Sequence, residues 1–256
     1  LATAAFNEFK KAINVNFIPS TTATTAKFAL LEGNLSGLGR YGVTENYVAD
    51  GSERSGIIIN NLNVYGGITK AFTYLHEMGH ILNLQHPAAG VTTDVTIMSN
   101  SLGNSPEATG NAPTTLMIND YAALHAALPN EINYSYKSGA TTYNLTGNAK
   151  TWTIWDGGGT DIISAAGKTS GALIDLRGGL DENGAPRWSH IGNEYIAIAF
   201  DPREGAGGSL LANKDGVVDI EKATGGSGND TIYGNDLANT IDGGLGNVYV
   251  HFGGGD

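Results

Sequence analysis

The eleven residues His76-Glu77-Met78-Gly79-His80-Ile81-Leu82-Asn83-Leu84-Gln85-His86 restrict the fold of this chain more than any other segment. Residues four apart share a helix face, so His76 and His80 aim their rings at one point only if this segment is helical. His86 reaches the same point only if the helix stops after His80 and the chain turns back. Such a reversal needs a residue at ease in the left-handed region, and Asn83 is such a residue. Three neutral imidazoles with an open fourth position are the donor set of a catalytic zinc ion. Glu77, directly after the first histidine, is suited to take a proton from an attacking water. Bare HExxH strings also arise by chance. Here the spacing of His86 and the later Thr96-Ile97-Met98-Ser99 supply context, without which Met98 reads as an ordinary core methionine.

A second pattern begins at Gly225. Gly225 to Tyr233, Gly234 to Asp242 and Gly243 to His251 repeat with a period of nine, and Ile232, Ile241 and Val250 fall at one place in each. The period predicts a six-residue turn and a three-residue strand per unit, wound as a parallel β-roll with calcium between stacked turns. The repeat aspartate position reads Asp230, Asn239 and Val248, so the stack of first and third turns is expected to hold an ion weakly. Earlier, Asp156-Gly157-Gly158-Gly159-Thr160-Asp161 follows a strand pattern over 151–155. Its glycines let carbonyl oxygens converge and its aspartates add negative oxygen, which suits a hard cation; a polar hairpin turn is the plainer alternative.

At the histidine motif and Met98 the chain resembles the metzincin metallopeptidases. His86-Pro87 and the glycine-aspartate repeats narrow the likeness to the serralysin family. Two positions depart from the family pattern: Asn83 stands for its glycine, and Asn100 for the tyrosine two places after the methionine. The resemblance implies an α+β protein, with a metzincin-like α/β catalytic domain over 1–130. An all-β calcium-binding domain, β-sandwich and parallel β-roll, would follow over 131–256, its repeats at 225–251. It implies one catalytic zinc on His76, His80 and His86, Glu77 as the base, and Met98 as the methionine turn. It implies several structural calcium ions, with Gly139 and Thr141 facing Asp156, Gly158 and Asp161, and with Glu221, Gly226, Gly228 and Asp230 nearer the roll. The implied function is a secreted zinc endopeptidase acting on proteins or peptides as a monomer. The alternative is a calcium-loaded extracellular binding module whose peptidase half is a relic, and the intact Glu77 speaks against it.

Net charge of −11 disfavours nucleic acid and anionic membrane surfaces as partners. No apolar run reaches the roughly 18 residues needed to cross a bilayer. Cysteine is absent, so thiols say nothing of the compartment. The chain opens at Leu1 with no legible secretory signal, and the expectation of secretion rests on the resemblance. Apolar spacing predicts helices over 2–13, 68–82 and 115–128 and strands over 14–19, 27–31 and 55–60. The resemblance implies that the last of these strands, just ahead of the histidine helix, is the sheet edge where an extended peptide adds; its three isoleucines suit an ordinary core strand equally well. Residues 100–114 read as a loop walling a cleft, and 201–214 as an insertion.

Overall fold

The computed structural model describes residues 2–15, 28–33, 42–49, 52–60, 64–65, 68–100, 113, 115–202 and 217–255. Helix α1 (Ala2–Ala12) buries Ala5, Phe9 and Ala12, the apolar stripe of its sequence, and ends on Lys10 and Lys11, cations that suit the negative end of a helix. Residues 14 and 15 do not continue as the expected strand, and 16–19 lie outside the described residues. Instead the chain is tied across the molecule: Ile13 bridges Ile132, and the Asn14 amide donates to the Glu131 carbonyl.

Strands β1 (Phe28–Gly33), β2 (Gly42–Ala49) and β3 (Ser52–Asn60) form one sheet in the order β1-β3-β2. Strand β3 is parallel to β1 and antiparallel to β2. This corrects the expectation of an edge at 55–60, because β3 is flanked on both sides. The polar-rich β2 carries too weak an alternation to be read as a strand, yet it folds back on β3 over its full length. Among the described residues β2 pairs only with β3 and forms an edge.

The expected helix over 68–82 also begins later. Ile68–Thr69 is β5, paired with β4 (Val64–Tyr65), and helix α2 spans Lys70–Ile81. The β-branched pair Ile68 and Thr69 favours the extended form. Helix α2 packs on α1, β2 and β3, which seats the histidine motif against the sheet. Helix α3 (Ile118–Ala127) buries Ile118, Tyr121 and Leu124. Most of the expected 100–114 loop lies outside the described residues.

Trp155 ties α3 to the strand-rich remainder of the chain. Its ring stacks on Tyr121, lies 4.4 Å from His125 by ring centroids, and donates from Nε1 to the Asn133 carbonyl. That remainder comprises β6 (Thr142–Asn144), β7 (Lys150–Ile154), β8 (Ile162–Ser164), β9 (Leu173–Asp175), β10 (Ser189–Ile191) and β11 (Glu194–Ile198). The chain ends with β12 (Lys222–Thr224), β13 (Asp230–Tyr233), β14 (Thr240–Asp242) and β15 (Val248–His251). They build two sheets, β15-β13-β9-β10-β11-β7 and β14-β12-β8-β6. From β12 onward successive strands alternate between these sheets, and each pairs in parallel with the strand two along. Ile232 points into the core and is fully buried. Phe200 bridges Val217 across the expected insertion at 201–214, of which 203–214 lie outside the described residues. No helix among the described residues is long and apolar enough to cross a membrane.

Candidate metal centre

Helix α2 ends as the sequence requires. Asn83 takes φ +66°, its amide donates to the His80 carbonyl, and the Leu84 amide donates to the Gly79 carbonyl. Those two bonds make the Schellman closure, with asparagine in the left-handed position that glycine usually fills. The turn also fixes a ring: the Leu84 carbonyl accepts from Nδ1 of His80 at 3.0 Å. The His76 ring bonds through Nδ1 to the Ile97 carbonyl at 2.8 Å.

Both bonds require the proton on Nδ1, which leaves the two Nε2 atoms as bare lone pairs. Each lies 3.1 Å from Nε2 of His86. With the His86 proton on Nδ1 a third lone pair faces these two, and lone pairs so close repel unless a cation lies among them. A tetrahedral ion bound at roughly 2.0–2.1 Å sets its nitrogens about 3.4 Å apart, so the donor set fits zinc with little movement. Burial, with the neighbouring His80 and His86 acting the same way against the Ile97 bond, pushes the His76 pKa down to about 4. His86 is lowered by burial and His80, while Glu77 acts to raise it. Both shifts favour the neutral form of these two rings, the form that can bind a metal, and the buried Glu77 lies close enough for its charge to be felt at His86.

Met98 lies beneath α2. A Cβ built on Gly79 would fall 2.4 Å from Met98 Sδ and 3.4 Å from Leu84 Cδ1, so a side chain there would have to push the Met98 thioether aside. We expect Gly79→Val to destabilise by about 1–3 kcal/mol through overpacking. At roughly 2–4 °C per kcal/mol for a chain of this size, thermal melting registers the loss. An unchanged melting temperature would show that Met98 does not pack there. Asn100, the departure from the family tyrosine, comes two residues after Met98 as an exposed residue.

Sequence reasoning missed Asp120. It is 1% exposed and accepts from Thr96 Oγ1, the Ile97 amide and the Met117 amide at 2.6, 2.9 and 2.8 Å. Burial, only partly offset by these bonds, raises its pKa to about 6. A carboxylate inside the apolar run 116–128 is the signal that was there to find, since buried charges need dedicated partners.

The residues expected to hold calcium fall into two groups. Gly159, at φ +146°, brings 156–161 against Gly139, where a Cβ would meet the Gly139 carbonyl oxygen at 2.8 Å. Thr141 Oγ1 donates to the Gly139 carbonyl, the Thr141 amide to Asp161 Oδ1, and the Gly158 amide to Asp156 Oδ1. Glu221 joins this group rather than the repeats, its Oε2 accepting from the Asp161 amide at 2.7 Å. Asp161 Oδ2 is buried and has no hydrogen-bond partner among the described residues. Burial first, then Asp156 and Glu221, pushes the Asp161 pKa up to about 7. Crowded carboxylates with an orphaned oxygen fit a hard cation.

The second group is satisfied internally. Asp230 accepts from the Ala172 and Gly226 amides, and the Gly226 carbonyl accepts from the Leu245 amide. Gly228 sits where a Cβ would press on the backbone of Ser170 and Gly171. In the middle repeat the Asn235 amide nitrogen donates to the Leu176 and Ile220 carbonyls, and its oxygen accepts from Leu237 and Asn239. Neutral amides thus close the turn where the repeat pattern has a carboxylate.

Fold and site together define a mixed α/β protein with three histidines, on a helix and its closing turn, grouped so that they could hold a metal ion. No family model matches the chain. It is 26% identical over 293 residues to the serralysin of Photorhabdus laumondii, covering 93% of this chain and 55% of that protein. It is 30% identical over 254 residues to metallopeptidase AprA of Pseudomonas marginalis, covering 84% of this chain and 46% of that protein. Metalloprotease AprA of Pseudomonas entomophila matches at 31% over 205 residues, 66% of this chain and 37% of that protein. These matches relate the chain to the serralysin family. The chain spans about half the length, or less, of these relatives.

Proposed function

We propose that this chain is a secreted zinc endopeptidase of the serralysin type, hydrolysing peptide bonds in proteins or peptides. The observation that carries the reading is the convergence of three Nε2 atoms, two with Nδ1 committed to a carbonyl. His76, His80 and His86 would hold the ion, which when bound supplies Lewis-acid polarisation of water and of the scissile carbonyl. Glu77 takes the proton of the attacking water and passes it to the leaving amine, with no covalent intermediate. Among the described residues strand β2 is the sheet edge on one side, and an extended substrate would join there as a further strand rather than at β3, which is flanked on both sides. Casein hydrolysis tests the reading: it should stop on zinc chelation, return with zinc, and fail in Glu77→Ala. Casein cleavage that survives full removal of zinc would refute it.

The domain reading divides the chain into 1–130 and 131–256, the second part a calcium-stabilised β-sandwich and β-roll. Parallel pairing of β12 with β14 and of β13 with β15, in alternate sheets, supports the roll. Calcium is assigned first to Asp156, Asp161 and Glu221 with Gly139, Thr141 and Gly158, and second to Gly226, Gly228 and Asp230. Free calcium at about a hundred times its dissociation constant adds about 2.7 kcal/mol to the folded state. Melting should therefore fall by roughly 5–10 °C when calcium is chelated. Coincident melting curves with and without the chelator would remove calcium from the account.

A further inference from the structure

The hydrogen bonds behind His76 form one continuous, directed chain. Nδ1–H of His76 donates to the Ile97 carbonyl at 2.8 Å. The same peptide group carries the Met98 amide, which donates to Thr96 Oγ1 at 3.0 Å. The Thr96 hydroxyl then donates to Asp120 Oδ1 at 2.6 Å. Every donor points the same way, and the last acceptor is a carboxylate. His76, Thr96, Ile97, Met98 and Asp120 are each at most 8% exposed, so water does not compete with the links.

We propose that Asp120 is a positioning residue for the metal centre, acting on His76 through Thr96 and the Ile97–Met98 peptide. Aligned hydrogen bonds in a low-dielectric interior polarise one another, so the carboxylate makes the Ile97 carbonyl a stronger acceptor. A stronger acceptor at Nδ1 makes Nε2 a better ligand and holds the ring in the ligating tautomer. Metal-ligating histidines commonly rest directly on a carboxylate; here the same influence passes through one hydroxyl and one peptide. The second bond of Asp120, to the Ile97 amide, fixes the turn that carries the carbonyl. His80 depends on the Leu84 carbonyl instead and lies outside the relay. The inference rests on the reading of the three histidines as metal ligands.

The test uses cobalt alone as probe, with affinity taken from competition with a chelator and geometry from the visible d–d bands. Thr96→Val keeps the side-chain volume and removes only the hydroxyl, and Asp120→Asn removes the charge. Both should weaken cobalt binding about 10–100-fold, the usual cost of losing a group that supports a metal ligand, and shift the d–d bands. Glu194→Gln is the control for stability alone. Glu194 is fully buried far along the sequence, with Thr146, Gly147 and Trp152 as donors, so its variant should melt lower yet keep cobalt affinity and spectrum. Should Asp120→Asn fail to fold, Thr96→Val carries the test. Wild-type affinity and bands in Thr96→Val, or equal weakening in Glu194→Gln, would overturn the relay. A wild type that takes up no cobalt would instead bring down the metal reading on which it rests.

Discussion

Glu77→Gln will slow peptide hydrolysis by on the order of 10²–10⁴-fold while the metal stays bound, the range that a single positioned acid–base group contributes. Glutamine keeps the length and shape of the side chain but cannot accept the proton, so the loss isolates the proton transfer. Glu77 sits next to His76 in the same helical turn, is buried, and exerts its charge on His86, which keeps it beside the three rings. The carboxylate is absent from the ligand set, so the variant should retain its zinc. Single-turnover rates beside elemental analysis check both halves. Wild-type rates would assign the base to another residue, and loss of zinc would make Glu77 a structural support of the site.

His80→Ala will release the metal. Two imidazoles would remain where three converge. The cost should exceed the roughly 10–100-fold lost with a supporting partner, because a donor itself is gone. His80 is only partly buried at the end of α2, so the fold should survive the change. Dialysis against a zinc buffer and then elemental analysis reads the result, with His125→Ala as comparison. His125 lies in α3, packed on Trp155 and bonded to the Ala12 carbonyl, outside the cluster. Full zinc in His80→Ala would mean that the ligands are wrongly named.

The cluster of three histidines was legible in the sequence because its parts lie close along the chain. His76 and His80 are fixed by helix geometry, and His86 by the left-handed turn at Asn83, whose φ of +66° is the value the spacing demands. Local stereochemistry settles such a site before any tertiary contact forms. The nine-residue period likewise gave the spacing of β13, β14 and β15. The edge strand escaped because β2 carries little alternation of its own and is defined by pairing with β3, a non-local bond pattern that single-strand propensity reports poorly.

What the sequence by itself determined, then, is the set of groups placed by neighbours a few residues away: the three clustered histidines, the helix stop and the repeat turns. Only the tertiary structure decided which distant groups share an environment. It moved Glu221 beside Asp161, buried Asp161 Oδ2 with no hydrogen-bond partner among the described residues, and pointed Thr96, the Ile97–Met98 peptide and Asp120 along one line behind His76. The physical reason is that desolvation and hydrogen-bond direction depend on everything packed around a group, and a carboxylate in α3 acquires its meaning only when the methionine turn folds onto it.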